Sequence, residues 1–259
     1  MGILNITPDS FSDGGEYRDP NRAVEHAQRM IAEGADILDV GGESTRPGSL
    51  PVEPDEQIRR IAPVISAVRS HWNGPISVDT TKSAVARAAL DAGASWVNDI
   101  SALRDDPLMA ELAAKTACPL IIMHMLGSPR TMQEKPQYDD VVGDVRNFLS
   151  ERAQFAESSG THRENIILDP GIGFGKTTEH NLALLGRLRE IVDLGYPVLV
   201  GASRKSFIGQ LAAAAVDDRL AGSLACAVRA VDLGAQIVRV HDVGPTRQAL
   251  AVAAAISGH

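Results

Sequence analysis

The chain has 259 residues, of which 44% are hydrophobic and 22% are charged, and its formal net charge is −8. A chain of this length and apolar content can bury a large core, whereas its acidic balance argues against a general nucleic-acid-binding protein. No stretch approaches the roughly 20 apolar residues of a membrane span, and the first residues resemble no secretion signal.

One pattern repeats along the chain: a helical stretch, a glycine, a short apolar run and a polar residue. In "AEGADILDVGG", "DAGASWVNDIS" and "DLGAQIVRVHD" the glycine stands where a helix would end, because glycine adopts the left-handed C-cap conformation at little cost. The apolar runs are typical of strands buried on both faces. In chain order they cover residues 2–6, 36–40, 76–79, 96–100, 120–124, 166–169, 198–201 and 237–240. Eight such strands alternating with helices predict an α/β fold, a single-domain (β/α)8 TIM barrel over residues 1–259.

Polar side chains stand at or just after the ends of these predicted strands. In a (β/α)8 barrel the carboxyl ends of the strands form one mouth, where the active site lies. We therefore expect these side chains to converge there. They are Asn5, Asp39 with Glu43, Asp79, Asn98 with Asp99, His124, Asp169, residues 203–205, and Arg239 with His241.

The glycine-rich stretch "DPGIGFGKT" resembles a phosphate loop but lacks its spacing. A P-loop requires glycine at the position of Pro170, and no dinucleotide fingerprint can be read through the segment either. We interpret it as a turn that carries Asp169 at a strand end. The sequence also contains no zinc-ligand spacing of Cys and His and no G-x-S-x-G elbow. The single histidine of "MHM", His124, fits a structural role at least as well as a ligand role.

Several basic residues predict an anion site at the mouth. Arg239 and His241 are two residues apart, so on an extended strand they face the same side. Arg46 lies in "GGESTRPG", and arginine suits bidentate recognition of phosphate. Lys205 follows directly after a strand, which would direct its charge into the mouth.

The carboxylate and amide side chains predict a second ligand deeper in the barrel. Asp169 can accept two parallel N–H bonds from a guanidine-like edge of a heterocycle, and Asn98 can both donate and accept. Asp79 can add a third contact. Buried carboxylates without such partners would be costly or protonated. The residues therefore indicate a polar heterocycle in the barrel and an anionic group near its rim.

Several long motifs together resemble one family, the dihydropteroate synthases of folate biosynthesis. They occur in the family's order, as "MGILNITPDSFSDGG", "GGESTRPG", "SVDT", "VNDI", "LDPGIGFGK", "GASRKSFIG" and "VRVHDV". The resemblance implies a Mg²⁺-dependent transferase that condenses 4-aminobenzoate with (7,8-dihydropterin-6-yl)methyl diphosphate. The implied products are 7,8-dihydropteroate and diphosphate, and the implied mechanism is dissociative, without a protein nucleophile.

The resemblance also implies a role for each matching residue. The implied pterin-binding set is Asp79, Asn98, Asp169 and Lys205. The implied diphosphate-binding set is Asn5, Arg46, Arg239 and His241. Asn5 is in addition the implied ligand of the Mg²⁺ cofactor.

The loops after the first two predicted strands are implied to complete the site. The first loop is "NITPDSFSDGG" and the second is "GGESTRPG". Contacts to 4-aminobenzoate are implied for Thr45, Pro47 and Ser206. The first loop resembles a mobile catalytic lid, and its Phe11 and Asp13 join Lys205 and Arg239 as the implied catalytic residues. Sulfonamide-insensitive relatives carry an extra residue near "SRKSF", which is uninterrupted here, so the resemblance implies a sulfonamide target.

The expected partners are small-molecule substrates, with no nucleic acid and no membrane. The family resemblance implies a homodimer, for which the Ala-rich helix around residues 220–233 is a candidate interface. Cys118 and Cys226 are far apart in sequence, as is typical of reduced thiols, so we expect a cytoplasmic protein.

Two alternatives remain open from the sequence. A pterin-binding methyltransferase domain would share the Asp and Asn contacts, but it would not need "STRPG" or the pair of Arg239 and His241. A non-catalytic paralogue that only binds pterin is the other alternative, although every motif residue is intact. Diphosphate release in the presence of both substrates distinguishes the three.

Overall fold

The computed structural model describes residues 1–6, 20–44, 48–128, 131–133 and 135–258. Strands and helices alternate along this described part of the chain. The strands are β1 (Gly2–Asn5), β2 (Leu38–Gly41), β3 (Ile76–Asp79), β4 (Trp96–Asp99), β5 (Leu120–Met123), β6 (Ile166–Asp169), β7 (Leu199–Val200) and β8 (Ile237–Val238). The helices are α1 (Pro20–Ala32), α2 (Pro54–Arg69), α3 (Ser83–Asp91), α4 (Leu108–Thr116), α5 (Val141–Ser158), α6 (Thr178–Gly186), α7 (Arg189–Val192), α8 (Ser206–Ala212), α9 (Leu220–Asp232) and α10 (Val243–Ser257).

The strands form a closed parallel barrel. Strands β1 to β6 pair in sequence order, and β7 pairs with β8. Parallel bridges join the two groups, between Leu168 and Val198 at one seam and between Gly2 and Val240 at the other. The second seam also has a backbone hydrogen bond from Ile3 N to Val240 O at 3.0 Å. The predicted TIM barrel is confirmed.

The predicted strand positions are close to the observed ones. Strands β3 and β6 begin and end as predicted. Strand β2 begins at Leu38 rather than at Asp36, and Asp36 lies at the surface, 3.2 Å from Arg247 Nη1. Strand β8 ends at Val238, although the next residue, Arg239, still donates its backbone N–H to Val200 O at 3.0 Å.

Alternation along the strands separates two apolar cores. One cluster, at the barrel floor, contains Met1, Ile37, Ile121, Ile167 and Leu199. Their strand neighbours pack outward against the helices in the main core. Because strand side chains alternate, residues two positions beyond the floor point into the same interior. Two of these residues are acidic, Asp39 and Asp169, and Asn98 and Arg239 stand in the same way two positions beyond Trp96 and Ile237, which pack against the floor.

Glycines end the helices where the repeated pattern predicted them. Each has a positive φ, between 76° and 112°, as a left-handed C-terminal residue requires. They are Gly34, Gly93, Gly160, Gly195 and Gly234.

The last two long helices leave apolar side chains on the surface. Helices α9 and α10 pack against each other. Val231 of α9 is 41% exposed, and Val252 and Ile256 of α10 are 56% and 82% exposed. Among the helices of the described ranges, none combines the length and apolar composition needed to cross a bilayer.

Candidate active site

The barrel interior above the apolar floor is organised by one arginine. Arg239 Nε lies 2.6 Å from Asp39 Oδ2, and its Nη2 lies 2.8 Å from Asp79 Oδ2. Asn98 Nδ2 donates to the same Asp39 oxygen at 3.1 Å. All three partners of this network are buried, so Arg239 neutralises charges that could not otherwise be accommodated there.

Two oxygens in this network have no partner among the described residues. Asp39 Oδ1 and Asn98 Oδ1 are both fully enclosed and accept no hydrogen bond from the described protein atoms. A buried acceptor without a donor is costly, so each is suited to receive a hydrogen bond from a ligand or a water molecule. Asn98 thus donates, as the sequence analysis expected, and its role as an acceptor stays a prediction.

Asp169 lies at the end of β6 with one oxygen already bonded. Its Oδ1 accepts the backbone N–H of Gly171 at 2.7 Å, and the side chain is buried. Burial raises the pKa of Asp169 from 3.8 to about 6, although the Gly171 N–H and the charges of Arg239 and Lys205 oppose this. Burial also raises the pKa of Asp79, against the opposing charge of Arg239. Near neutral pH, Asp169 is an ionised acceptor with unused capacity.

Lys205 brings a second cation into the site. It directly precedes α8, and its Nζ lies 4.1 Å from the centre of the Phe174 ring. Burial, followed by the charge of Arg239, lowers the pKa of Lys205 from 10.5 to about 8. The carboxylates of Asp169 and Asp79 oppose this shift, so Lys205 is close enough to both acids and to Arg239 to be affected by their charges. The amine is still mainly protonated at neutral pH and can donate three hydrogen bonds.

His241 is fastened to the neighbouring β7 loop. Ser203 Oγ lies 3.0 Å from His241 Nδ1, and the same oxygen accepts the backbone N–H of His241 at 3.2 Å. Burial and the charge of Arg239 lower the pKa of His241 to about 4, so the ring is neutral at pH 7. The Ser203 hydroxyl hydrogen can donate to Nδ1, an arrangement that leaves the ring proton on Nε2 as a donor.

The turn that precedes α8 is held by an ion pair. Arg204 has a left-handed backbone conformation, with φ 56°, and its guanidinium contacts both carboxylate oxygens of Asp242, at 2.5 and 3.0 Å. Its backbone N–H donates to Ser223 Oγ at 2.9 Å. These bonds keep Lys205 and Ser206 beside the β8 end, where Ser206 begins α8 and is exposed.

The base of the second loop is fixed by a buried glutamine. Gln57 of α2 donates from Nε2 to Glu43 Oε2 at 2.8 Å and to Val52 O at 2.9 Å. Its Oε1 accepts the Thr80 hydroxyl at 3.3 Å. These bonds link the residues on either side of the "STRPG" segment to the end of β3.

Asn5 ends β1 and lies beside β2, with its Oδ1 3.4 Å from the point where a Cβ on Gly41 would stand. The described residues contain no group of three or more His, Cys, Asp or Glu side chains that could enclose a metal ion. A cation at Asn5 would accept the carboxamide oxygen of this side chain together with oxygens from substrate and water. This donor set suits Mg²⁺, which keeps several waters and binds substrate phosphates. The metal role of Asn5 stays a prediction.

The described structure brings most of the predicted site residues to one end of the barrel. These are Asn5, Asp79, Asn98, Asp169, Lys205, Ser206, Arg239 and His241. The remaining predicted residues lie outside the described residues: Phe11, Asp13, Thr45, Arg46 and Pro47. Arg239 was predicted to bind diphosphate, and the structure adds that two of its nitrogens already contact Asp39 and Asp79.

Sequence reasoning gave no role to two charged residues that the structure makes central. Asp39 was noted as a strand-end residue, but only the fold shows that it contacts both Arg239 and Asn98. Lys176, in "GFGK", is buried, and its Nζ lies 2.9 Å from His124 Nδ1. His124 therefore has the structural role that the sequence left as one of two options. The sequence feature that could have indicated a role for Lys176 is its position at the end of a glycine-rich turn that is not a P-loop.

The raised pKa of Asp169 predicts how stability depends on pH. The folded carboxyl binds its proton more tightly than the unfolded one, so the free energy of unfolding should fall as pH rises from about 4 to about 6. Asp79 contributes with the same sign. We expect Asp169→Asn to make this fall shallower, measured as melting temperature between pH 4 and 7. Identical pH profiles for the two proteins would contradict the assignment.

Comparison with known proteins gives a consistent result. The profile of the pterin-binding enzymes matches residues 1–241. The dihydropteroate synthase of Escherichia coli (strain K12) is 50% identical over 252 residues, which cover 97% of this chain and 89% of that protein. The crystal structure of Yersinia pestis dihydropteroate synthase with a sulfonamide drug complex is 45% identical, with a TM-score of 0.95 and coverage of 100% and 94%. Xanthomonas albilineans dihydropteroate synthase with 4-aminobenzoic acid is 46% identical, with a TM-score of 0.94 and coverage of 100% and 93%.

Proposed function

The chain belongs to the pterin-binding enzyme family, and from this premise we propose that it catalyses the dihydropteroate synthase reaction. It is a transferase that joins 4-aminobenzoate to (7,8-dihydropterin-6-yl)methyl diphosphate and releases diphosphate. The observation that carries this function is the buried polar layer of Asp79, Asn98 and Asp169 above the apolar floor, with Lys205 beside it. Its acceptors and donors complement the edge of a pterin ring.

The pterin is held by groups whose remaining hydrogen-bonding capacity suits it. The Asp169 carboxylate accepts N–H bonds from the pyrimidine edge, because only one of its oxygens is engaged by Gly171. Asn98 Oδ1 accepts a further N–H, which relieves its unpaired state. Lys205 donates to a ring acceptor.

The bond changes require charge stabilisation rather than a protein nucleophile. The C–O bond to the diphosphate breaks with its electron pair on the departing oxygen, and the lone pair of the 4-aminobenzoate nitrogen forms the new C–N bond. That nitrogen then loses a proton to solvent. Arg239 and the Nε2–H of neutral His241 stabilise the negative charge on the diphosphate, and the Arg239 nitrogens that face Asp39 and Asp79 hold the guanidinium in place.

Magnesium dependence is part of the proposal. Bound Mg²⁺ would neutralise diphosphate charge, and Asn5 would supply a carboxamide oxygen to it. We propose that Thr45, Pro47 and Ser206 contact 4-aminobenzoate. We also propose that Phe11 and Asp13 belong to a lid over the site. The free thiols of Cys118 and Cys226 support a cytoplasmic location.

The test of function is a steady-state assay of diphosphate release with both substrates and Mg²⁺. We expect release only when 4-aminobenzoate and the pterin diphosphate are both present, with 7,8-dihydropteroate formed in equal amount. Methyl transfer from methyltetrahydrofolate instead would favour the methyltransferase alternative. Pterin binding without any turnover would favour the non-catalytic one.

A homodimer is proposed through α9 and α10. Val231, Val252 and Ile256 are exposed and form an apolar surface on these helices. Burying apolar surface in an interface favours association. We expect a dimer by sedimentation velocity and a shift to monomer on replacement of Val252 with glutamate. A monomeric wild-type protein at micromolar concentration would refute this interface.

Sulfonamides are expected to compete with 4-aminobenzoate, because they share its aniline ring and the "SRKSF" turn carries no insertion. The Yersinia pestis structure is of a sulfonamide drug complex. Initial rates measured at several concentrations of both compounds should give an increased apparent KM and an unchanged kcat. Inhibition that excess 4-aminobenzoate does not relieve would show that the pocket differs.

A further inference from the structure

Lys176 is a buried charged side chain that the proposed chemistry does not use. It is only 3% exposed, and its ammonium lies 2.9 Å from each of Gly171 O, Phe174 O and His124 Nδ1. A fourth acceptor, His124 O, lies at 3.3 Å. Burial lowers the pKa of Lys176 from 10.5 to about 7, against the charge of Asp169, and below this pH these atoms accept the three hydrogens of the ammonium. All three hydrogens are thus engaged within the protein, so Lys176 does not reach a substrate.

His124 acts as an acceptor for this ammonium. Burial, followed by the charge of Lys176, lowers the pKa of His124 to about 2, so its ring is neutral. The ring packs edge-on against Phe148 at 4.9 Å between centroids and also contacts Tyr138. The contact therefore ties the end of β5 to the turn that follows β6.

That turn, residues 171–176, wraps around the ammonium. Gly171 has φ 66°, and a Cβ there would lie 1.9 Å from His124 O, so the two backbones are in direct contact. The Gly173 N–H donates to Asn181 Oδ1 at 2.7 Å, and the Tyr138 hydroxyl donates to Gly175 O at 2.8 Å. Among the described residues that form these hydrogen bonds to the turn, only Lys176 is a cation. Its Nζ donates to two carbonyls of the turn, Gly171 O and Phe174 O.

The conformation of the 171–176 turn reaches the proposed pterin site at two points. The Gly171 N–H donates to Asp169 Oδ1 at 2.7 Å. The Phe174 ring lies 4.1 Å from Lys205 Nζ. A change in the turn would therefore move one acceptor of the site and the surface that supports its cation.

We infer that Lys176 is a positioning residue for the pterin site, in which its buried ammonium fixes the carbonyls of Gly171 and Phe174 and thereby presets Asp169 and Lys205. This inference rests on the proposed pterin-binding role of those two residues. The ammonium adds to the turn's own backbone bond, in which the Phe174 N–H donates to Gly171 O at 3.0 Å, and it also engages Phe174 O. A preset site loses less conformational entropy when the pterin binds, which raises affinity.

The test is Lys176→Met, which keeps the volume and removes the donors. We expect the KM for the pterin diphosphate to rise at least about tenfold, with kcat within about threefold and the KM for 4-aminobenzoate within about twofold of wild type. The matched control is Lys115→Met, because Lys115 is 67% exposed and pairs with Glu111 on α4. We expect this control to leave all three constants unchanged.

A second measurement separates positioning from bulk packing. Propylammonium added to Lys176→Ala should restore much of the pterin KM, whereas butane, which has the same size but no N–H donor, should not, because the carbonyls require a donor. A folded Lys176→Met enzyme with a pterin KM within twofold of wild type would overturn the inference. Should Lys176→Met fail to fold, Lys176→Gln is measured with the same thresholds. Failure of both to fold would also overturn it, since Lys176 would then serve the whole barrel.

Asp169→Asn, measured in parallel, distinguishes this inference from the proposed site itself. Loss of pterin affinity in Asp169→Asn but not in Lys176→Met rejects only the positioning role. Retained affinity in Asp169→Asn rejects the pterin assignment on which that role depends.

Discussion

Replacement of Asp169 with asparagine is expected to weaken pterin binding by about 2–5 kcal/mol, which is roughly 30-fold to several thousandfold in Kd. The variant keeps the size of the side chain and the Gly171 N–H contact, but it places an amide hydrogen where the ring presents its own donors. The loss arises mainly from donors that stay buried and unpaired. Titration calorimetry with a 6-hydroxymethyl pterin measures it directly.

The matched control for this experiment is Asp193→Asn, since Asp193 is 69% exposed and lies 4.0 Å from Arg189 at the surface. We expect it to bind pterin as the wild type does. Thermal unfolding of both variants establishes that the barrel is intact. If Asp169→Asn bound pterin with an affinity close to that of the wild type, another carboxylate would have to take its place.

Replacement of Arg239 with methionine is expected to lower the free energy of unfolding by about 3–5 kcal/mol, because a buried ion pair broken on one side leaves an uncompensated charge. Here two carboxylates lose their partner at once, since Arg239 contacts both Asp39 at 2.6 Å and Asp79 at 2.8 Å. Denaturant unfolding at pH 7 measures the change. Activity should be lost as well, because the same side chain is proposed to bind diphosphate.

The destabilisation of Arg239→Met should depend on pH in a defined direction. Without the cation, the pKa of buried Asp79 rises further above its unfolded value, so the folded state binds protons more tightly. Stability should therefore recover as pH falls towards 5 and decline as pH rises to 8. A second substitution, Asp39→Asn, should restore part of the lost stability, because it removes a buried carboxylate that Arg239 no longer compensates.

The matched control is Arg247→Met, an arginine that is 57% exposed and pairs with exposed Asp36 at 3.2 Å. We expect it to change the free energy of unfolding by less than about 1 kcal/mol. Similar costs for Arg239→Met and Arg247→Met would mean that the interior network contributes no more than a surface pair.

The sequence by itself determined the barrel and the family. Runs such as 76–79 and 166–169 could be read as strands because both faces are buried, so the positions before the mouth are apolar apart from Ser77. The glycines at the helix C-termini were recognisable because glycine adopts the left-handed backbone conformation there at little cost in free energy. Asp79, Asn98 and Asp169 were found because they stand at the carboxyl ends of predicted strands, which form the mouth of a (β/α)8 barrel.

Boundaries were less predictable where a partner far away in sequence decides them. Strand β2 begins after Asp36, whose exposed side chain contacts Arg247, 211 residues later. Strands β7 and β8 are short, and next to them the sheet continues only through single bridges. One joins Val198 to Leu168, and the other joins Val240 to Gly2. No local pattern carries this information.

Only the tertiary structure decided which charges meet. Asp39 and Arg239 are 200 residues apart, and their contact exists because the barrel closes between β8 and β1. The pairing of Lys176 with His124 likewise requires β5 and β6 to lie side by side, with the 171–176 turn folded back on the β5 end. Sequence spacing determines the face on which a side chain lies, but electrostatic energy depends on distances across strands. Those distances are set by closure of the sheet.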